Sequence, residues 1–385
     1  MEVFEESWVE ELKRRYGSVS SYTRPYVAYL ALDGRVPEER TEIEEWFASL
    51  PEGVKPEFLG RLRSQNDCQH FSAYNELVVR HLFQSMGYSV TMRPRIKEGE
   101  PDLLVEGKNL KIPVVVEVAT VFDEPGWGKE RTKLHRIIAE LEKIQHYFFV
   151  SISVRSNFIP ENLNYRKLRQ FVEKWLDGFN PQDIKEASET TYQEDGLSLV
   201  LTLLPKNTQS KSSIIGAYSP PTRWVSETQL RSAIEKKIQK YKSIKKQNAA
   251  FVVAVCLHQD ALVDEDEAIE TLYGKQEWTV DVVKKQIVDV KRDFSGLLTP
   301  KPGLGGSVRN TRLSALLVVR SKWQQPKDGL ERRVHSAFML HNTNAKIPLS
   351  QEFLRGYPQL VKSHEDDEKV HLLWIDKESQ EYVDL

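Results

Sequence analysis

Residues 114–122, Val-Val-Val-Glu-Val-Ala-Thr-Val-Phe, constrain the fold more than any other stretch. Successive side chains of a strand point to opposite faces, and here both faces are apolar, so a strand made from this segment has to be covered above and below. It predicts a strand in the interior of a sheet with a layer packed on each side. Residues 249–257, AAFVVAVCL, read the same way. Helical patterns lie before and between these runs, which points to a mixed α/β core rather than a bundle or a sandwich.

The flanking segments fill in the order. FSAYNELVVRHLFQSMG (71–87) predicts a helix on which Tyr74, Leu77, Val78, Leu82 and Phe83 share a face, with Gly87 at its end. YSVTMRP and PDLLVEG predict two strands, the second entering a turn at Glu106–Asn109. A charged amphipathic helix is expected at about 129–146 and a strand at 147–154. Residues 1–60 read as mostly helical, with Phe4, Trp8, Val9 and Leu12 as one stripe and a second helix around Glu42–Leu50. Further on come a helix near 164–177, the strand LSLVLTLLP, a loop from Asn207 to Thr222, a helix at about 228–246, and strands at LSALLVV and HSAFML. The expected organisation is a helical region at 1–65, an α/β core at 66–260 with an insertion at about 156–227, and an α+β extension at 261–385.

Composition narrows the class of function. The chain has 385 residues, 54 Lys and Arg against 56 Asp and Glu, and a net charge of -2. That balance excludes a protein that coats nucleic acid by bulk positive charge, although a local basic face is sufficient for binding. Cys68 and Cys256 are the only cysteines, so a cysteine zinc site is excluded and a disulfide framework is not expected. No apolar run approaches the roughly 18 residues that span a bilayer, and the acidic, amphipathic start is no signal peptide. A cytoplasmic protein without a membrane partner is expected.

Chemistry concentrates at Pro101-Asp102 and Glu117. If the hairpin is centred between Asn109 and Leu110, Asp102 falls opposite Glu117, and opposed residues project from one face about 5 Å apart. Glu117 interrupts an apolar run. Its ionised carboxylate costs several kcal/mol there unless a cation or good hydrogen bonds compensate it. A hard cation such as Mg²⁺ shared with Asp102 meets that need, and so does a buried Arg or Lys.

This stretch resembles the PD-(D/E)XK nuclease superfamily, the restriction-endonuclease-like fold, over about 71–155 and again at 228–257. The resemblance implies a metal-dependent phosphodiesterase in which Asp102 and Glu117 hold Mg²⁺ or Mn²⁺ and Glu76, on the preceding helix, is a further ligand or base. Alternatively, Glu76 forms an exposed pair with Arg80, worth about 0.3–0.5 kcal/mol. The chain departs from the pattern where the superfamily has a lysine two residues after the glutamate: Ala119 stands there. Some members take a substitute lysine from a neighbouring helix. Lys133 and Lys237 are the candidates, with Lys237 favoured, since Lys237 and Tyr241 are spaced like the Gln-x-x-x-Tyr helix of the recombination-type branch. More widely, SAYNEL, PD…VEV, the KK…Y helix, Tyr273-Gly274 and His341-Asn342-Thr343-Asn344-Ala345 resemble an uncharacterised bacterial family, which implies that the C-terminal part belongs to one extended unit.

The helix at 231–246 adds an electrostatic signal: Arg231, Lys236, Lys237, Lys240, Lys242, Lys245 and Lys246 face only Glu235. Such a surface can neutralise several phosphates. Arg61, Arg63, Arg93 and Arg95 lie close to the acidic residues in sequence. Gly-Leu-Gly-Gly at 303–306 is not a P-loop, Asp264–Glu267 reads as a solvated charge run, and His341-Asn342 as a capped loop. The expectation is therefore a Mg²⁺-dependent nuclease with catalytic residues Glu76, Asp102, Glu117 and Lys237, acting on DNA ahead of RNA. A role in bacterial defence, as a homodimer or with a partner protein, follows by analogy to the fold. The alternative is a nuclease-like protein that binds nucleic acid or acts as a scaffold without cleaving, for which Ala119 is the main support. A third reading is an adaptor in a defence assembly.

Overall fold

A computed structural model describes residues 1–19, 24–96, 99–107, 110–122, 127–156, 158–180, 187–206, 211–219, 227–241, 248–257, 264–281, 284, 286–293, 295–299, 309–324, 332–365, 370–376 and 382–384. The chain divides into two compact units, one formed by residues 1–10, 30–122 and 225–385, the other by 11–29 and 123–224.

The first unit is built on a mixed sheet of nine strands: β1 (Ser89–Met92), β2 (Leu103–Glu106), β3 (Val114–Val121), β4 (Ala250–Leu257), β5 (Ala315–Gln324), β6 (Arg332–His341), β7 (Gln359–Glu365), β8 (Val370–Ile375) and β9 (Tyr382–Asp384). In space the strands lie in that same order. Pairing is antiparallel through β1, β2 and β3, parallel from β3 to β4 and β4 to β5, then antiparallel to β6. β3 and β4 are interior strands, and all eight residues of β4 are buried. This is the position that two apolar faces demand.

Helices cover both faces. On one face Val115, Ala119 and Val121 join Leu230, Ile234 and Ile238 of the helix Glu227–Lys240 in a single core. On the other, the helix Asp67–Ser85 packs against β3, and the Asn75 amide donates to the Thr120 hydroxyl at 3.0 Å. That helix starts at Asn66, whose side chain accepts from the Cys68 N–H, and is left at Gly87, which holds φ 86°. The first part of the chain is helical as expected, at Glu6–Tyr16, Tyr26–Leu32, Pro37–Ala48 and Lys55–Leu62.

The second unit carries the helices Trp127–Leu141 and Tyr165–Leu176 and a separate four-stranded sheet. Its strands run in the order Ser188–Glu194, Leu197–Pro205, Phe148–Val154, Ile215–Ser219. Phe148–Val154 alternates buried and half-buried residues, the pattern of a strand with one core face.

One expected boundary is corrected. The chain leaves the central sheet after Phe122, not near 156, because Phe148–Val154 pairs with Leu197–Pro205 rather than with β3. Residues beyond 261 continue the central sheet as β5 to β9, in keeping with the expectation that the C-terminal part belongs to one extended unit. The expected loop Asn207–Thr222 contains paired strands at Ser212–Ser213 and Ile215–Ser219, anchored by buried Ile214 and Ile215. Asp264 and Asp266 are exposed, as expected of a solvated charge run, and Asp264 has a further role. It caps the helix Glu265–Tyr273, its carboxylate accepting from the Glu267 N–H while the Glu267 side chain accepts from the Asp264 N–H. His341-Asn342 forms a capped loop, with the Asn342 side chain donating to the carbonyl of Leu313 and accepting from the Asn344 N–H. Gly303–Gly306 lies outside the described residues.

Candidate active site: a hairpin of carboxylates crossed by lysines

The β2–β3 register places Leu103 opposite Val116 and Val105 opposite Val114, so one further step along the hairpin sets Asp102 opposite Glu117. The centre of symmetry is the predicted one. Odd-numbered residues of β3 face the lysine helix, which sends the fully buried Glu117 side chain towards it. The helix is held by Leu230, Ile234 and Ile238, and its next face carries Lys237 and Lys240.

Lys237 joins the two carboxylates. Its Nζ donates to Asp102 Oδ2 at 2.9 Å and to Glu117 Oε2 at 2.6 Å. Lys240, one turn on, reaches Glu117 Oε1 at 3.1 Å and Oε2 at 3.4 Å. Asp102 Oδ2 also accepts from the Val118 N–H at 2.8 Å, and Oδ1 accepts from Arg93. Burial alone would raise the pKa of Asp102; the charges of Lys237 and Arg93 outweigh it and hold the group below its usual 3.8. Burial works against the charge on Lys237 as well, and Asp102 and Glu117 overcome it, so its pKa rises. Tyr241, fully buried against Phe251, has its phenol pushed up by burial and by the Glu117 carboxylate.

Glu76 sits one step away. Arg61 donates to Oε1 at 2.7 Å and Arg93 to Oε2 at 2.8 Å. Burial and the neighbouring charge of Asp102 raise its pKa, against the two arginines. It makes no pair with Arg80, which instead donates to the Ser49 hydroxyl at 2.7 Å and carbonyl at 2.9 Å. The exposed-pair reading of Glu76 is thus replaced by a buried one. The metal-ligand reading also changes: Arg93 lies between Glu76 and Asp102, so Glu76 joins the cluster through a guanidinium.

Of the other expected residues, Lys133 donates to the Ile159 carbonyl at 2.7 Å and pairs with Glu161 at 3.1 Å, both within the second unit. Arg63 binds the carbonyls of Glu2 and Val3 and stacks over Trp8, a structural role. Arg95 pairs with Glu100 at the surface. Lys242, Lys245 and Lys246 lie outside the described residues. Lys240 was the readable omission, being three residues from Lys237 on a helix. Of the four arginines expected near the acidic residues, Arg61 and Arg93 join them, Arg93 leaving β1 in a left-handed conformation, φ 47°, with its N–H bonded to the Asp102 carbonyl.

All six carboxylate oxygens of Glu76, Asp102 and Glu117 accept from a cationic side chain. Among the described residues no group of three or more His, Cys, Asp or Glu side chains is set to hold a metal ion. Asp102 and Glu117 nevertheless fit a hard cation. They are two oxygen donors converging on one positive group, and Mg²⁺ commonly takes only one or two carboxylates and fills its shell with water and phosphate. No helix among the described residues is long and apolar enough to cross a membrane. Comparison with protein families, curated proteins and solved structures finds no match to this chain.

Proposed function

We propose that this chain is a metal-dependent nuclease of the PD-(D/E)XK type that hydrolyses phosphodiester bonds, with DNA ahead of RNA. The observation that carries the reading is Lys237, which a separate helix brings into contact with both Asp102 and Glu117. It fills the place that Ala119 leaves empty of charge. The order of helix, three antiparallel strands, helix and a parallel fourth strand supports the same reading.

Asp102 and Glu117 would hold Mg²⁺ or Mn²⁺, which when bound supplies Lewis acidity towards a phosphodiester and acidifies water. The protein's own contribution is positioning and charge. Arg93 holds Asp102 Oδ1, the Val118 N–H holds Oδ2, and Lys237 ties that same Oδ2 to Glu117. As water forms its bond to phosphorus and the P–O bond to the leaving oxygen breaks, negative charge builds on the phosphoryl oxygens. A lysine fixed in a half-buried site stabilises that charge more strongly than one in bulk water.

A cleavage assay on plasmid, linear duplex, single-stranded DNA and RNA with Mg²⁺ or Mn²⁺ tests this. Wild type should cleave DNA, and Asp102→Asn, Glu117→Gln and Lys237→Met should each lose about 100-fold or more. Cleavage unchanged in both carboxylate variants would sink the assignment. One observation favours a second reading, a nucleic-acid-binding protein without catalysis: every oxygen of Asp102 and Glu117 is already engaged by a cation or a backbone N–H. Binding of DNA by wild type with no cleavage in either metal would establish that reading over the first.

A further inference from the structure

Lys237 and Lys240 both touch Glu117, but they are placed to do different things. Lys237 is only 24% exposed and donates two short bonds, one to each carboxylate. An ammonium has three N–H donors, so one is left, in a side chain already gripped from two sides. Lys240 is 46% exposed and engages one carboxylate only, at 3.1 and 3.4 Å. Its ammonium otherwise lies 5.0 Å from the Tyr241 ring centre. A lysine with nearly half its side chain in solvent, held by one carboxylate that Lys237 also holds, can exchange that bond for another anion at small cost. A phosphodiester approaching the hairpin meets the negative charge of Glu117 unless a cation lies between them. Lys240 is the cation that both borders Glu117 and faces solvent.

We propose that Lys240 is the residue that contacts the substrate phosphate, transferring its ammonium from Glu117 to a phosphoryl oxygen, while Lys237 stays with the two carboxylates. The proposal rests on the reading that a nucleic-acid backbone reaches this site. It goes further by dividing the work of the two lysines and naming the one that touches substrate. It does not depend on cleavage.

The test is binding of a fluorescein-labelled DNA duplex to the full chain by anisotropy, in EDTA, across a series of KCl concentrations. Lys240→Met should weaken binding roughly 3- to 10-fold. It should also flatten the slope of log affinity against log salt by about 0.9, the value for one lost phosphate contact. Lys240→Arg should restore both. Lys322→Met, a substitution of an exposed lysine far along β5, controls for loss of one positive charge anywhere on the unit. An affinity and slope in Lys240→Met equal to wild type, or a change no greater than in Lys322→Met, overturns the proposal. So does failure of wild type to bind duplex. The cleavage assay is scored separately: an inactive protein whose Lys240→Met variant shows the changed slope sinks the nuclease reading and sustains this one.

Discussion

The Lys237 ammonium decides whether the cluster is a stable part of the fold. Glu117 is fully buried and Asp102 nearly so; without their shared partner Asp102 keeps Arg93 and the Val118 N–H, but Glu117 keeps only the longer bonds of Lys240. Breaking a buried pair by deleting one side costs several kcal/mol, because the remaining charge loses its best-placed compensation. Lys237→Met should therefore lower the free energy of unfolding by about 3 kcal/mol. Lys240→Met, at an exposed position, should cost less than about 1 kcal/mol. Urea denaturation of the two variants measures both; equal losses would show that the lysines share one role. At this scale the opposition of Asp102 and Glu117 was legible, because alternation in β3 and a short hairpin fix which residues face each other. The fate of Glu76 was not. Its partners come from the helix Lys55–Leu62 and from a left-handed turn after β1, and no periodicity in sequence links those places.

Elements with a strong period came through, and those defined by a turn were missed. β3 and β4 announce themselves by apolar residues on both faces, and the helix Asp67–Ser85 by its long apolar pattern. Ser188–Glu194 was passed over, because SETTYQE is polar along most of its length and buries only Tyr192 fully. The signal that would have found it is Asp195-Gly196, a two-residue pair between Ser188–Glu194 and Leu197–Pro205. Both turn residues take positive φ, 47° and 82°, the conformation that joins antiparallel strands without splaying them. A side chain at 196 meets two obstacles: the left-handed backbone, and the Phe158 ring 3.0 Å from a built Cβ. Gly196→Val should destabilise the second unit by about 2 kcal/mol, whereas Asp195→Asn, which tolerates the same conformation, should change little. Thermal unfolding followed by limited proteolysis within residues 123–224 reads the difference, and an unchanged melting profile for the valine variant would refute the turn's importance.

At the level of the whole molecule, acid stability is governed less by the carboxylate cluster than by histidines buried without charge. Burial pulls His70 and His335 down to about 4, from 6.5. His70 is joined through Nδ1 to the Leu62 carbonyl at 2.6 Å, and His335 sits between the Ser321 and Tyr74 hydroxyls at 2.8 and 3.1 Å. The Arg333 guanidinium near both adds to the shift, and His81 adds to that of His335. Above pH 6.5 neither the native nor the unfolded chain holds these protons, and the stability they permit is complete. Between 6.5 and 4 the unfolded chain takes up protons that the native one refuses, so stability falls with pH, by up to about 1.4 kcal/mol per unit for each histidine. Below about 4 the loss is finished. Glu76 works in the opposite direction: its pKa is raised, so it adds stability as pH falls through its native value towards 4.5. Glu42 and Glu267 are raised by burial as well and act with Glu76, while His81, His146 and His341 are lowered and act with His70 and His335, so that among these groups five histidines stand against three carboxylates. The net expectation is a urea midpoint that drops steadily from pH 6.5 to pH 4.5. His335→Gln, which keeps hydrogen-bonding capacity between Ser321 and Tyr74 without a titrating ring, should remove a visible share of that slope. A wild-type midpoint that stays level across this range would mean that the histidines are protonated in the native state, and that the packing around Trp46, Tyr74 and His335 is looser than the 6.0 and 6.4 Å ring separations indicate.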